Sequence, residues 1–152
     1  MKIDIDKKQY NRLKKFFKAC YPKEGCGFLI GRELNNGTTK IEYVYIPEDQ
    51  EQYAAEEYIL RPIEWWIEAI KEAKNTDMFL VGEIHSHPDC YDCTPSETDC
   101  SSSGETLKFF NHIQNPIMGI MSLYRSKRGM ECRLGLWPFF DKFKVKYSYA
   151  RY

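Results

Sequence analysis

The stretch that most constrains the fold is Gly82–Asp99, G-E-I-H-S-H-P-D-C-Y-D-C-T-P-S-E-T-D. His85 and His87, two of the three histidines, follow an apolar run, Met78 to Val81, that reads as a short buried strand. Residues two apart on a strand share a face, so the imidazoles are expected on one side, roughly 6–7 Å apart along the backbone. Pro88 has no N–H to donate and ends the ladder. A polar loop follows, then Pro95-Ser96-Glu97-Thr98-Asp99, where Pro95 stops the preceding segment and Ser96 has the character of a helix N-cap. Taken alone, Ser-x-x-Asp is a capping pattern, and a lone His-x-His arises by chance on strand ends. The succession of strand, paired imidazoles, loop and capped helix is far more specific. Imidazole is a good zinc ligand, and catalytic zinc usually keeps three protein ligands with the fourth position left to water. Asp99 is the best candidate for the third.

These residues resemble the JAB/MPN (JAMM) zinc metallopeptidases, whose pattern is an upstream Glu, then His-Ser/Thr-His, a loop and Ser-x-x-Asp. The upstream Glu matches Glu24, in P-K-E-G-C-G-F-L-I-G (Pro22–Gly31), which is close to a second signature of that family. The resemblance spans nearly the whole chain and is nearest to the compact prokaryotic members. Two positions depart from the pattern. The eight residues Pro88–Pro95 between His87 and Ser96 exceed the usual spacing by one, and the extra residue is expected to bulge outward from the loop. Glu83 stands where relatives carry an aromatic or aliphatic residue. Sharing the face of His85 and His87, it reads either as a group supporting the ligands or as a partly solvated strand glutamate.

A chain of 152 residues, 43% hydrophobic and 29% charged, fits one domain over 1–152 with a real core. Formal net charge is zero, without the basic excess of a nucleic-acid binder. No apolar run approaches the ~18 residues of a membrane span, and the opening M-K-I-D-I-D lacks the apolar stretch of a signal peptide. The cytoplasm is the expected location. The six cysteines are expected there as thiols or metal ligands rather than disulfides. Cys90-x-x-Cys93 with Cys100 has zinc-ligand spacing beside the histidines, so a structural Cys/His zinc module is one rival reading. It leaves Glu24 and Ser-x-x-Asp unexplained. Cys26 is expected to pack as a small apolar residue near Glu24.

Taken in order, Asp6–Cys20 carries a helical stripe at Tyr10, Leu13, Phe16, Phe17 and Cys20, with Asp6 as N-cap and Tyr21-Pro22 as stop. Gly25–Ile30 reads as a buried strand, Asn35-Asn36-Gly37 as a hairpin turn and Ile41–Ile46 as the return strand. Pro47–Glu57 reads as an acidic surface loop. Arg61-Pro62 opens a second helix with an apolar face at Ile63, Trp66, Ile67, Ile70 and Ala73, leaving Trp65 pointing elsewhere. A third helix is expected at roughly Glu97–His112, weakened by Ser101-Ser102-Ser103-Gly104. Strands at Ile117–Tyr124, Cys132–Trp137 and Phe143–Tyr149 complete the chain, and His112 reads as a surface or packing residue. The fold class is α/β, a curved mixed β-sheet flanked by helices. The resemblance implies the JAB/MPN arrangement, with layering like that of cytidine deaminases.

The resemblance further implies a role for each residue. His85, His87 and Asp99 would hold Zn2+ and so activate a water. Glu24 would act as general base, and Ser96 would donate to the oxyanion. The implied substrate is the (iso)peptide bond after the C-terminal Gly-Gly of a ubiquitin-like or sulfur-carrier protein, with neither nucleic acid nor membrane as partner. A second rival is a scaffold of the same fold that binds proteins without catalysis, although all five functional positions are present.

Overall fold

The structure, a computed structural model, describes residues 2–110 and 112–139. Helix α1, Lys7–Cys20, starts where Asp6 accepts from the N–H groups of Lys8 and Gln9, and stops at Tyr21 before Pro22. Its stripe buries Leu13 and Phe17 completely. Strand β1, Lys2–Ile5, precedes it. The sequence reading passed over this strand, which is only four residues long and alternates apolar with charged side chains.

Strands β2, Cys26–Glu33, and β3, Thr38–Tyr45, form the expected hairpin. Its turn rests on Gly37, whose φ of +77° is reached at little cost without a Cβ. The segment read as loop at 47–57 contains a 3-10 helix, Gln50–Tyr53. Helix α2 spans Ile63–Asn75 and strand β4 spans Phe79–Pro88. Helix α3, Glu97–Thr106, tightens into a 3-10 turn at Leu107–Phe110, short of the expected end at His112. Serine and glycine support an α-helix weakly, and a 3-10 turn is a common way for one to finish. Strands β5, Ile117–Ser126, and β6, Gly129–Pro138, close the described chain. The expected strand Phe143–Tyr149 lies outside the described residues.

Among the described residues the sheet is six-stranded and mixed, in the order β1-β3-β2-β4-β5-β6. β1 runs parallel to β3 and β4 parallel to β5, and the other pairs are antiparallel. Its two faces are covered separately. α1 lays Leu13 and Phe17 on Leu29, Ile84 and Met121. On the other face, α2 sets Trp66 edge-on to Phe28 at 4.8 Å and stacks it on Phe109 at 4.6 Å. Fully burying side chains of this size stabilises by roughly 1.5–3 kcal/mol each.

The buried face of α2 differs from the expected one. Trp65, Trp66, Ala69 and Ala73 are buried, whereas Ile63 and Ile67 are exposed. Trp65 turns inward onto Tyr53, ring centroids 5.1 Å apart, so the 3-10 helix hidden in the supposed loop determines which side of α2 is covered.

The register of β4 positions the site. Between Leu29 and Ile30 the β2–β4 pairing slips, opposing Leu29 to Gly82 and Ile30 to Leu80, so Val81 is an extra residue. A one-residue slip carries every later side chain to the other face. Leu80, Glu83, His85 and His87 therefore share the face beneath α2 and α3. At Gly82 an added Cβ would lie 2.2 Å from the carbonyl oxygen of Ile117, so glycine is required for β4 and β5 to meet.

Candidate metal centre

His85 is opposed by Cys26 on one side and Ile120 on the other, and His87 by Ser122. Asp99 comes from the first turn of α3, where Ser96 caps it. The Ser96 N–H and hydroxyl donate to Asp99 Oδ2 at 2.7 and 2.6 Å, and the Asp99 N–H donates back to Ser96 Oγ at 3.2 Å. The capping reading and the ligand reading of Ser-x-x-Asp are thus compatible, because the cap is what aims the carboxylate at the imidazoles. Its Oδ1 lies 3.0 Å from His85 Nε2 and its Oδ2 3.3 Å from His87 Nε2, with the two imidazole nitrogens 3.1 Å apart.

These distances and this donor set fit zinc. Ligand atoms about 2 Å from a tetrahedral zinc ion lie about 3.3 Å from one another. A carboxylate only accepts hydrogen bonds, and a neutral imidazole offers one proton or one lone pair at Nε2. Three such atoms converging on one point form a group that could hold a metal ion. Among the described residues, His85, His87 and Asp99 form the one group of metal-ligating side chains this close.

Burial works against ionisation of Asp99, yet the hydrogen bonds with His85 and His87 hold its carboxyl well below the usual carboxylate range. Burial lowers the pKa of His85 and outweighs the opposing effect of Asp99. At His87 burial acts in the same direction, but Asp99 prevails and the pKa is raised. His85 Nδ1 is buried without a hydrogen-bond partner.

Glu24 lies in the turn before β2, only 7% exposed and near enough to His87 and Asp99 for their charges to act on its carboxyl. Its backbone is fixed on both sides. The Glu24 N–H donates to the Ala55 carbonyl at 2.8 Å, and Gly25 exchanges two bonds with Ser86, its N–H donating to Ser86 Oγ and its carbonyl accepting from the Ser86 N–H, each at 2.9 Å. Gln50 completes the clamp from the 3-10 helix. Its Oε1 accepts from the Cys26 N–H and its Nε2 donates to the Cys26 carbonyl, both at 2.8 Å. Burial pushes the Glu24 carboxyl up to about 7, with His87 opposing the shift, Asp99 adding to it and Arg61 opposing it. Glu24 also lines an open groove of about 1000 Å³ between α1 and residues 46–54.

Ser86 and Gln50 are structural parts of the site that sequence reasoning did not single out. Ser86 was visible only as the middle letter of His-Ser-His, and Gln50 sat in a stretch read as loop. Glu83 is not a solvated glutamate. It is 2% exposed and pairs with Arg61, Nη1 to Oε2, at 3.2 Å. Burial works against the charge on Arg61, and Glu83 more than restores it.

The cysteines do not join the histidines. Cys90 Sγ donates to the Asp92 carbonyl, the Cys93 carbonyl accepts from Trp137 Nε1, and Cys100 packs against the apolar cluster under α2. The structural Cys/His module therefore finds no cluster among the described residues. Cys26 is fully buried, as expected of a small apolar residue. His112 is exposed, with its ring 6.4 Å from that of Phe79. The long loop is exposed at Asp89, Tyr91 and Asp92, and pinned to the sheet by the Cys90 N–H on the Leu123 carbonyl and by Arg133 over the Tyr91 ring.

Residues 6–131 match the model of a family described as prokaryotic homologs of the JAB domain. No curated protein matches the chain. Among solved structures, the solution structure of a protein from Desulfitobacterium hafniense is similar at 23% identity and a TM-score of 0.62, over 88% of this chain and 83% of that one. A protein from Salinibacter ruber is similar at 21% identity and a TM-score of 0.61, over 97% of this chain and 90% of that one. These two share the fold.

Proposed function

The chain belongs to the family of prokaryotic homologues of the JAB domain, and we propose that it is a zinc-dependent peptidase or isopeptidase. The bond cut is the one after the C-terminal Gly-Gly tail of a ubiquitin-like or sulfur-carrier protein. The observation that carries this reading is the convergence of His85 Nε2, His87 Nε2 and the Asp99 carboxylate within 3.0–3.3 Å, with Glu24 buried beside them.

His85, His87 and Asp99 would hold the ion. Zinc, when bound there, supplies an activated water and polarises the scissile carbonyl. Glu24 accepts the proton of the attacking water and passes it to the leaving nitrogen. A carboxylate is the residue type that can take a proton from water and give it to a leaving nitrogen. Ser96 donates its hydroxyl to the carbonyl oxygen once that proton turns away from Asp99, a contact worth about 10²–10³ in rate. The tail lies extended, and glycines pass where a side chain would not. Free cysteines throughout the described chain suit a cytoplasmic setting.

The test is cleavage of a reporter fused after a Gly-Gly tail, with zinc present. Wild type cleaves, and Glu24→Gln retains zinc while its rate falls by about 10²–10⁴. A wild type that cleaves no such fusion, or a Glu24→Gln variant that cleaves as fast, favours the scaffold reading instead.

A further inference from the structure

Glu83 and Arg61 form a charged pair beneath α2. Glu83 is opposed by Phe28 and Met118, both buried, so its carboxylate sits in an apolar layer two residues before His85. Arg61 reaches it from the residue before the Pro62 cap of α2, with its side chain 15% exposed. Stability does not explain the pair, because desolvating two charges offsets most or all of their attraction. Nor is Arg61 saturated by its partner. A guanidinium carries five N–H donors, yet the 3.2 Å contact with Glu83 is not an aligned hydrogen bond, and Glu83 Oε2 remains without one. Among the described residues no other acceptor takes a hydrogen bond from Arg61. The same guanidinium is close enough to Glu24, Asp99 and His85 to interact with their charges. A fixed cation with unspent, forked donors at the edge of a hydrolytic centre matches a planar acceptor such as an acyl or carboxylate group.

We propose that Arg61 is a substrate-binding residue of this site, donating to the carbonyl oxygen on the acyl side of the scissile bond and to the carboxylate that hydrolysis leaves there. Glu83 is its positioning residue. The inference rests on the hydrolase reading above and adds which group recognises the acyl half of the substrate.

Calorimetric titration of the zinc-loaded protein with acetyl-Gly-Gly, and with its C-terminal amide, tests it. Wild type binds the carboxylate more tightly than the amide. Arg61→Met combined with Glu83→Met removes both charges of the pair together, so the fold and the zinc content persist, while acetyl-Gly-Gly binds about 10- to 100-fold more weakly. Arg61→Lys keeps the charge, loses the fork and falls between the two. Glu83→Gln narrows the preference for carboxylate over amide with zinc still bound, a change that a purely structural role would not produce. Zinc-loaded variants that bind acetyl-Gly-Gly as tightly as wild type overturn the proposal, as does a zinc-loaded wild type that binds neither compound. A wild type that takes up no zinc overturns the hydrolase reading itself, and the two failures are told apart by metal content.

Discussion

The two faces of the sheet both bury apolar side chains but differ in what they bury beside them. Under α1 the layer is apolar, with Leu13, Phe17, Leu29, Ile84 and Met121 all fully buried. Under α2 and α3 the same sheet carries Glu83 and His85, both nearly as inaccessible, with Glu24 and Arg61 closing over them. Both buried side-chain polar atoms that lack a hydrogen bond among the described residues, Glu83 Oε2 and His85 Nδ1, lie on this second face. Each such atom costs about 1–3 kcal/mol. The difference teaches that both faces bury an apolar core, and that the α2/α3 face gives up part of the stability this supplies to hold charges in place.

Substitutions sharpen that division. The largest stability change is expected on the α1 face. Phe17→Ala should cost about 3–5 kcal/mol in urea unfolding while leaving zinc affinity unchanged, and a loss of zinc would break the division. Glu24→Gln should act in the opposite direction. The folded Glu24 carboxyl titrates near 7 rather than 4.5, so the folded state binds its proton more tightly than the unfolded chain does. The penalty is absent below the ordinary carboxylate range, grows as pH rises and is complete above about 7. Metal-free Glu24→Gln should therefore be more stable than wild type at about pH 8, by up to about 3 kcal/mol, with no gain at about pH 4. A variant no more stable at the higher pH would mean that Glu24 bears no such burial cost. The smallest effect belongs to Asp6→Ala, which removes the cap of α1 and should cost about 1 kcal/mol at neutral pH without touching hydrolysis.

The same division separates what was legible in the sequence from what was not. α1 was readable because its stripe and its Asp6 cap are local, and the hairpin because Asn-Asn-Gly carries its own turn chemistry. The convergence of His85, His87 and Asp99 was readable because a strand alternation and a helix cap convert spacing into direction. The α2 face was misread because the stripe at Ile63, Ile67 and Ile70 is formally as good as the observed one. The choice fell to Tyr53, ten residues before α2, which offers Trp65 a partner. Gln50, Ser86 and the Arg61–Glu83 pair were hidden for a related reason. Each acts across at least 22 residues of chain, Arg61 on Glu83 and, over longer spans, Gln50 on Cys26 and Ser86 on Gly25, so no local pattern announces them.

Zinc content after equilibrium dialysis tests the central claim most directly. Wild type and the Cys90→Ser/Cys93→Ser variant should each retain about one zinc ion per chain, and His85→Ala should retain none. Zinc kept by His85→Ala, or lost from the double cysteine variant, would contradict the account.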